Sequence, residues 1–117
     1  RRSETGRLIP YLEDVLLDFP ELKIVGGHVG FPWIDELTTL AVKFENFFVD
    51  VSAYRLGRLP PDFVAFMKGP GHGRVMFGSN WPMVDMGRSL AELDSLCLEA
   101  NAQADFLAGT ARRVFGL

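Results

Sequence analysis

The sequence predicts an α/β fold made of parallel βαβ units, on three observations. Apolar stripes at helical spacing alternate with short strand-type runs along the chain. The strand-type runs are almost continuously apolar, as parallel strands buried on both faces are. Three polar residues, His28, Ser52 and Asn80, each sit at or just past the C-terminal end of such a run. Two architectures accommodate this pattern, a small doubly wound sheet and part of a (β/α)8 barrel. Length favours the first. The polar strand ends favour the second, because barrel enzymes keep their chemistry at that end.

The elements follow in order. Leu8, Ile9, Leu12, Val15, Leu16 and Phe19 fall on one helical stripe, closed by Pro20. "LKIVGGH" reads as a short β-branched strand ending in glycines. Trp33, Ile34, Leu37, Leu40, Ala41 and Phe44 form a second stripe, with Pro32 where a helix begins. "NFFVDVS" is the next strand, and "LPPDFVAFMK" a short helix with proline at its start and Asp62 in its first turn. "GPGHG" is a tight loop and "RVMFGS" a third strand. In the tail, Leu90, Leu93, Leu96 and Cys97 mark a helical stripe. Gly109 reads as a stop, and Thr110 as the N-cap of a last helix carrying Val114 and Phe115.

Composition narrows the function classes. The chain has 117 residues, 48% of them hydrophobic, enough for one packed domain and against disorder. A net charge of -3 argues against nucleic-acid binding, which normally needs a basic stripe. No apolar run approaches the length of a membrane span. The single cysteine, Cys97, has no internal disulfide partner. Its place on the tail stripe predicts a buried structural thiol and a reducing cytoplasmic setting. The opening "RRSETGR" has no initiating Met and no signal-peptide core, which suggests a piece of a longer chain.

Each polar candidate has a structural alternative. His28, in "VGGHVGFPW", is either a hydrogen-bonded structural histidine or a strand-end functional group. Its flanking glycines leave room for a ligand or for close backbone approach. Asn80, in "FGSNWP", is either a turn former or a second member of the same pocket. Asp50, in a buried strand, must be paired or protonated; it orients a histidine, or it anchors a helix N-terminus or a buried arginine. His72 reads as a solvated loop histidine at the opposite end of the strands. Trp33 and Trp81 flank prolines at strand-to-helix turns and could wall a pocket, although Trp33 also suits the core. Tyr54 and Arg55 either reach a carboxylated substrate or lie in a solvated loop. HxH, HExxH, CxxC and Gly-rich phosphate motifs are absent, and two histidines do not make a three-ligand zinc site.

Four segments, "DFPELKIVGGHVGFPW", "NFFVDVSAY", "RVMFGSNWP" and "FLAGTARRVFGL", resemble the amidohydrolase-related metal-dependent hydrolases, the group that includes aminocarboxymuconate-semialdehyde decarboxylase. They occur in the family's order over essentially the whole chain. The resemblance implies a (β/α)8 barrel of about 250 residues or more. This chain would then supply strands six to eight as residues 1–117 of a partial domain. It further implies a divalent metal, zinc by preference, held mainly by histidines upstream of Arg1. The substrate would be a small organic acid, amide or lactone, and the full-length protein a homodimer.

By the same resemblance, His28 matches the strand-six histidine that contacts the metal-bound water or the substrate and in some relatives ligates metal. Asn80 stands in the place of the strand-eight aspartate of "GSDxP". That departure is chemically large. An amide offers a neutral carbonyl oxygen as a weak ligand and does not accept a proton, so the base would be another group, such as His28. Trp33, Tyr54 and Trp81 would line the substrate. Two readings follow: a hydrolase or carboxy-lyase, and a non-catalytic barrel relative that binds a small molecule. A piece of three βα units leaves strand edges open, which predicts oligomerisation or aggregation when it is expressed alone.

Overall fold

The computed structural model describes residues 11–117. Leu8 and Ile9 of the first predicted stripe lie outside them. Helix α1 (Leu12–Asp18) buries Leu16. Strand β1 (Ile24–Gly26) leads through a tight turn to α2 (Ile34–Lys43). Strand β2 (Phe47–Asp50) leads to α3 (Pro61–Lys68), with Pro61 at its first position, where no N–H is needed. Strand β3 (Val75–Met76) precedes a helical tail. The three strands form one parallel sheet in the order β1-β2-β3. Val25 pairs with Phe48, and Asp50 with Met76. The C-terminal ends of all three strands therefore share one edge, which brings the predicted polar positions to the same end of the sheet.

Side chains alternate across the sheet. Ile24, Phe47, Val49 and Val75 face the main core, with Leu16, Leu37, Leu40, Phe63 and Phe66 from α1 to α3. Phe47 and Phe63 are essentially fully buried, each worth about 1.5–3 kcal/mol relative to exposure. Val25, Phe48 and Met76 face the other way, where Ala111 and Val114 cover them. Asp50 lies on this second face, nearer the C-terminal edge, because it shares register with Met76. The Asn46 side-chain amide donates to the carbonyls of Leu16, Phe19 and Leu22, tying the end of α1 to the start of β2.

The tail departs from the predicted pattern in two places. Helix α4 (Met86–Leu90) and a 3-10 turn (Leu93–Leu96) replace one continuous stripe. Cys97 turns left-handed at φ 50° and ends that turn, so its thiol is exposed rather than buried. Gly109 is not a stop. Helix α5 (Ala100–Ala104), a π-turn (Asp105–Gly109) and α6 (Thr110–Phe115) run on without a break, and Gly109 has helical angles. A Cβ on Gly109 would stand 2.5 Å from Asp105 Oδ1. The glycine makes room for the Asp105–Arg113 ion pair that passes over it. Thr110 is correspondingly buried inside the helix rather than capping it. The stop is Gly116, left-handed at φ 69°. The π-turn presents the Phe106 carbonyl to the Phe77 N–H at 2.9 Å, which continues the bonding of β3 past its last paired residue.

Candidate active site

Beyond each strand end the backbone enters the left-handed region at a non-glycine residue. These are His28 and Val29 after β1 (φ 57° and 53°), Ala53 after β2 (66°) and Asn80 after β3 (59°). Such angles are uncommon for side-chain-bearing residues and least favourable for a β-branched one. At β1 the packing shows what holds them. The Val29 side chain is fully buried in the main core, and Gly30 takes the next left-handed position at φ 81°. The predicted room is taken by Leu37 at Gly26 and Gly30 but stays open at Gly27, where an added Cβ would meet only Asp50 Oδ2 at 3.8 Å. A Cβ on Gly26 would meet Leu37 Cδ2 at 2.7 Å, and one on Gly30 would meet it at 2.3 Å. These two glycines serve the approach of α2, and the resulting turn lifts His28 to the exposed edge.

His28 Nδ1 lies 2.8 Å from Ser52 Oγ and 3.1 Å from the Ser52 carbonyl oxygen. Asp50 Oδ1 accepts the backbone N–H of His28 at 3.2 Å and that of Ser52 at 2.9 Å, and also the Ser52 hydroxyl. Asp50 thus reaches the imidazole through Ser52 rather than directly. Asp50 bonds neither an α-helix N-terminus nor an arginine among the described residues; it ties the β1 and β2 ends together and anchors the residue that holds the histidine. Among the described residues, Nε2 of His28 has no hydrogen-bond partner.

The Asn80 side-chain amide donates to Met83 Sδ at 3.5 Å, and the Asn80 backbone carbonyl accepts the Met83 N–H at 2.9 Å, so the residue starts a turn beyond β3. Its neighbour Ser79 is buried and accepts the Ala53 N–H at 3.4 Å, which joins the β2 and β3 ends. Trp81 is 69% exposed. Trp33 and Tyr54 are half-buried and pack against the main core. Arg55 is ion-paired to Glu92, which also accepts the Gly57 N–H at 2.9 Å. That backbone bond, then the guanidinium, holds the Glu92 carboxyl below its ordinary value.

At the opposite end of the strands, His72 is not simply solvated. Its Nε2 stands 3.0 Å from Asp105 Oδ2, while Arg113 holds Oδ1 at 2.9 Å. The Arg113 bond chiefly holds Asp105 below the usual carboxylate range; burial opposes it, and the His72 contact adds a lesser lowering. Sequence reasoning did not single out Ser52, Glu92 or Asp105 as partners. The D-x-S spacing of "VDVS" carried a usable signal for Ser52, because residues two apart on a strand share a face.

Whether these residues suit a divalent metal can be judged from the donors. Among the described residues, no three His, Cys, Asp or Glu side chains come together as a ligand set. The strand ends offer two neutral donors, His28 Nε2 and the Asn80 amide oxygen, while Asp50 Oδ1 is occupied by three donors and leaves only Oδ2. The described residues do not by themselves form a metal site, and no step is routed through one. A hollow of ≈ 440 Å³ lined by Leu56, Pro61, Val64, Lys68 and Leu96 lies on the helical side, away from His28. No helix among the described residues is long and apolar enough to cross a membrane.

Comparison with solved structures places this sheet in a TIM barrel. An uncharacterised TIM-barrel protein from Bordetella bronchiseptica superposes with a TM-score of 0.80 at 28% identity over 90% of this chain and 38% of its own. Amidohydrolase 2 from Bifidobacterium longum subsp. infantis gives 0.64 at 26%, over 89% of this chain and 44% of its own. A protein described as a 2-pyrone-4,6-dicarboxylic acid hydrolase from Pseudomonas putida gives 0.59 at 29%, over 92% and 48%. The chain thus spans less than half the length of each. No curated protein sequence matches it. The amidohydrolase family profile matches residues 3–117, and with the parallel sheet and its polar strand ends this shows that the chain belongs to the amidohydrolase family.

Proposed function

We propose that this chain forms the proton-handling end of a hydrolase acting on a small carboxylated lactone or amide. The observation that carries the reading is the His28 imidazole, exposed at the C-terminal edge of the sheet, anchored on Nδ1 and, among the described residues, without a partner on Nε2. An imidazole is the side chain suited to exchanging protons near neutral pH. His28 takes the proton of the attacking water or returns it to the leaving group. Asn80 orients water or substrate through its amide and takes no proton. Trp81 supplies an exposed apolar wall, and the half-buried Tyr54 and Trp33 complete the substrate-lining set in this proposal. A divalent ion, zinc in this proposal, would be held chiefly by side chains outside the described residues and would supply Lewis acidity. The setting proposed is the cytoplasm, and the assembly a homodimer of the full-length protein.

The similarity to the protein described as a 2-pyrone-4,6-dicarboxylic acid hydrolase makes a carboxylated pyrone lactone the first substrate to try. Decarboxylation is the second reading. Asn80 favours it, because that reaction asks less of a proton acceptor at this position. The experiment is turnover by the intact protein on carboxylated lactones, amides and aromatic acids, for wild type and His28→Ala. Loss of about 10²–10⁴-fold in the variant is expected. Tight substrate binding without turnover in the wild type would replace the enzyme reading with a binding protein.

A further inference from the structure

We propose that Ser52 and Asp50 are positioning residues that fix which nitrogen of His28 carries the hydrogen. They place it on Nδ1 and leave the lone pair on Nε2. This rests on the reading of His28 as the proton carrier.

Donors and acceptors alone fix the placement of the hydrogen. Asp50 Oδ1 receives the backbone N–H of His28 and of Ser52, at 3.2 and 2.9 Å. A backbone N–H can only donate, and an oxygen of the Asp50 carboxylate can only accept. The Ser52 hydroxyl, its third partner, therefore gives Oδ1 its single hydrogen. Ser52 Oγ is left with lone pairs alone for its other contact, His28 Nδ1 at 2.8 Å. The second contact of Nδ1, the Ser52 carbonyl at 3.1 Å, has no hydrogen to give either. Two acceptors facing one ring nitrogen put the hydrogen on that nitrogen.

The Ser52 carbonyl is itself held in place. It belongs to the peptide unit whose N–H, that of Ala53, bonds the Ser79 carbonyl at 3.4 Å. The left-handed turn at Ala53 follows directly. One peptide thus spans from the β3 end to the β1 end, and Asp50 fastens the same turn from below. An imidazole free in water prefers hydrogen on Nε2, so this network reverses the ordinary preference. It leaves Nε2, which has no partner among the described residues, as the nitrogen able to accept a proton.

The test is ¹⁵N NMR of the His28 ring in the intact protein, at a pH where the ring is neutral, with turnover measured alongside. The wild type is expected to show hydrogen on Nδ1. Asp50→Ala releases the Ser52 hydroxyl to donate to Nδ1, so the hydrogen is expected to move to Nε2 and kcat to fall about 10–100-fold with little change in KM. Adding Ser52→Ala to that variant removes the new donor and leaves the carbonyl, so the hydrogen returns to Nδ1. Ser52→Thr keeps the hydroxyl and the wild-type pattern. Hydrogen on Nε2 in the wild type overturns the proposal, and that spectrum alone decides if Asp50→Ala does not fold. An unchanged tautomer in a folded Asp50→Ala overturns it as well. If the tautomers behave as described while His28→Ala keeps its turnover, the functional reading fails and the positioning role stands.

Discussion

Replacing Gly30 by alanine tests how the His28 turn is built. The native backbone at Gly30 is left-handed at φ 81°, which costs a residue with a side chain about 1–2 kcal/mol. The added Cβ would also stand 2.3 Å from Leu37 Cδ2, 2.9 Å from its Cγ and 3.0 Å from its Cβ. Leu37 is buried between α2 and the sheet. It cannot swing aside without opening the core, and overpacking of this kind costs about 1–3 kcal/mol. The two effects together predict a loss of about 2–5 kcal/mol. Leu37→Ala alone removes a buried leucine and costs about 2–5 kcal/mol. In the double variant the Cδ2 and Cγ clashes are gone and only the backbone strain and the tight Cβ contact remain. Gly30→Ala should therefore cost about 1–2 kcal/mol less in the Leu37→Ala background than alone, a coupling that a double-mutant cycle resolves. Equilibrium urea denaturation of the intact protein provides the assay. Additive effects, or a Gly30→Ala cost below about 0.5 kcal/mol, would show that Leu37 does not press on this turn.

Further predictions concern the other end of the molecule, its edges and Asn80. Asp105 holds both His72 and Arg113, and its partly exposed pairs are worth about 0.5–1 kcal/mol. Its carboxyl is held low chiefly by Arg113. The stabilisation is therefore present above the ordinary carboxylate value and lost as pH falls through the lowered one. Asp105→Asn should melt earlier than wild type at pH 7 and converge on it in acid; parallel melting curves across that range would contradict the pairing. Asn80→Asp should raise divalent metal binding by the intact protein, read by metal analysis; no change would remove Asn80 from any ligand role. The 117-residue chain expressed alone leaves Phe31, Trp81, Met83 and Leu117 exposed, so size-exclusion chromatography should show oligomers. A monodisperse monomer with a cooperative melt would mean that these surfaces need no cover.

Much of the fold was legible because its signals are local and repeated. The alternation of helical stripes with apolar runs, Pro61 at the start of α3 and the glycines after β1 all correspond to observed structure. The tail was misread at Gly109, where a glycine usually means a stop; here the backbone stays helical because Asp105 and Arg113 need the space of a side chain. Cys97 followed the stripe in sequence, but one left-handed residue took it out of the core. For the site, sequence position placed His28, Ser52 and Asn80 at strand ends. It did not show that Asp50 acts on His28 through Ser52. That link depends on β1 and β2 being adjacent and in register, a long-range fact that no local pattern encodes. Nor did the sequence distinguish room for a ligand from room for Leu37 beside the glycines.

His28 is the group proposed to move the proton. Turnover of His28→Ala in the intact protein, measured at saturating substrate with and without added imidazole, tests this most directly. The predicted result is a fall of about 10²–10⁴-fold, with partial recovery as imidazole fills the space of the missing ring. Turnover that is unchanged by the substitution would contradict the account.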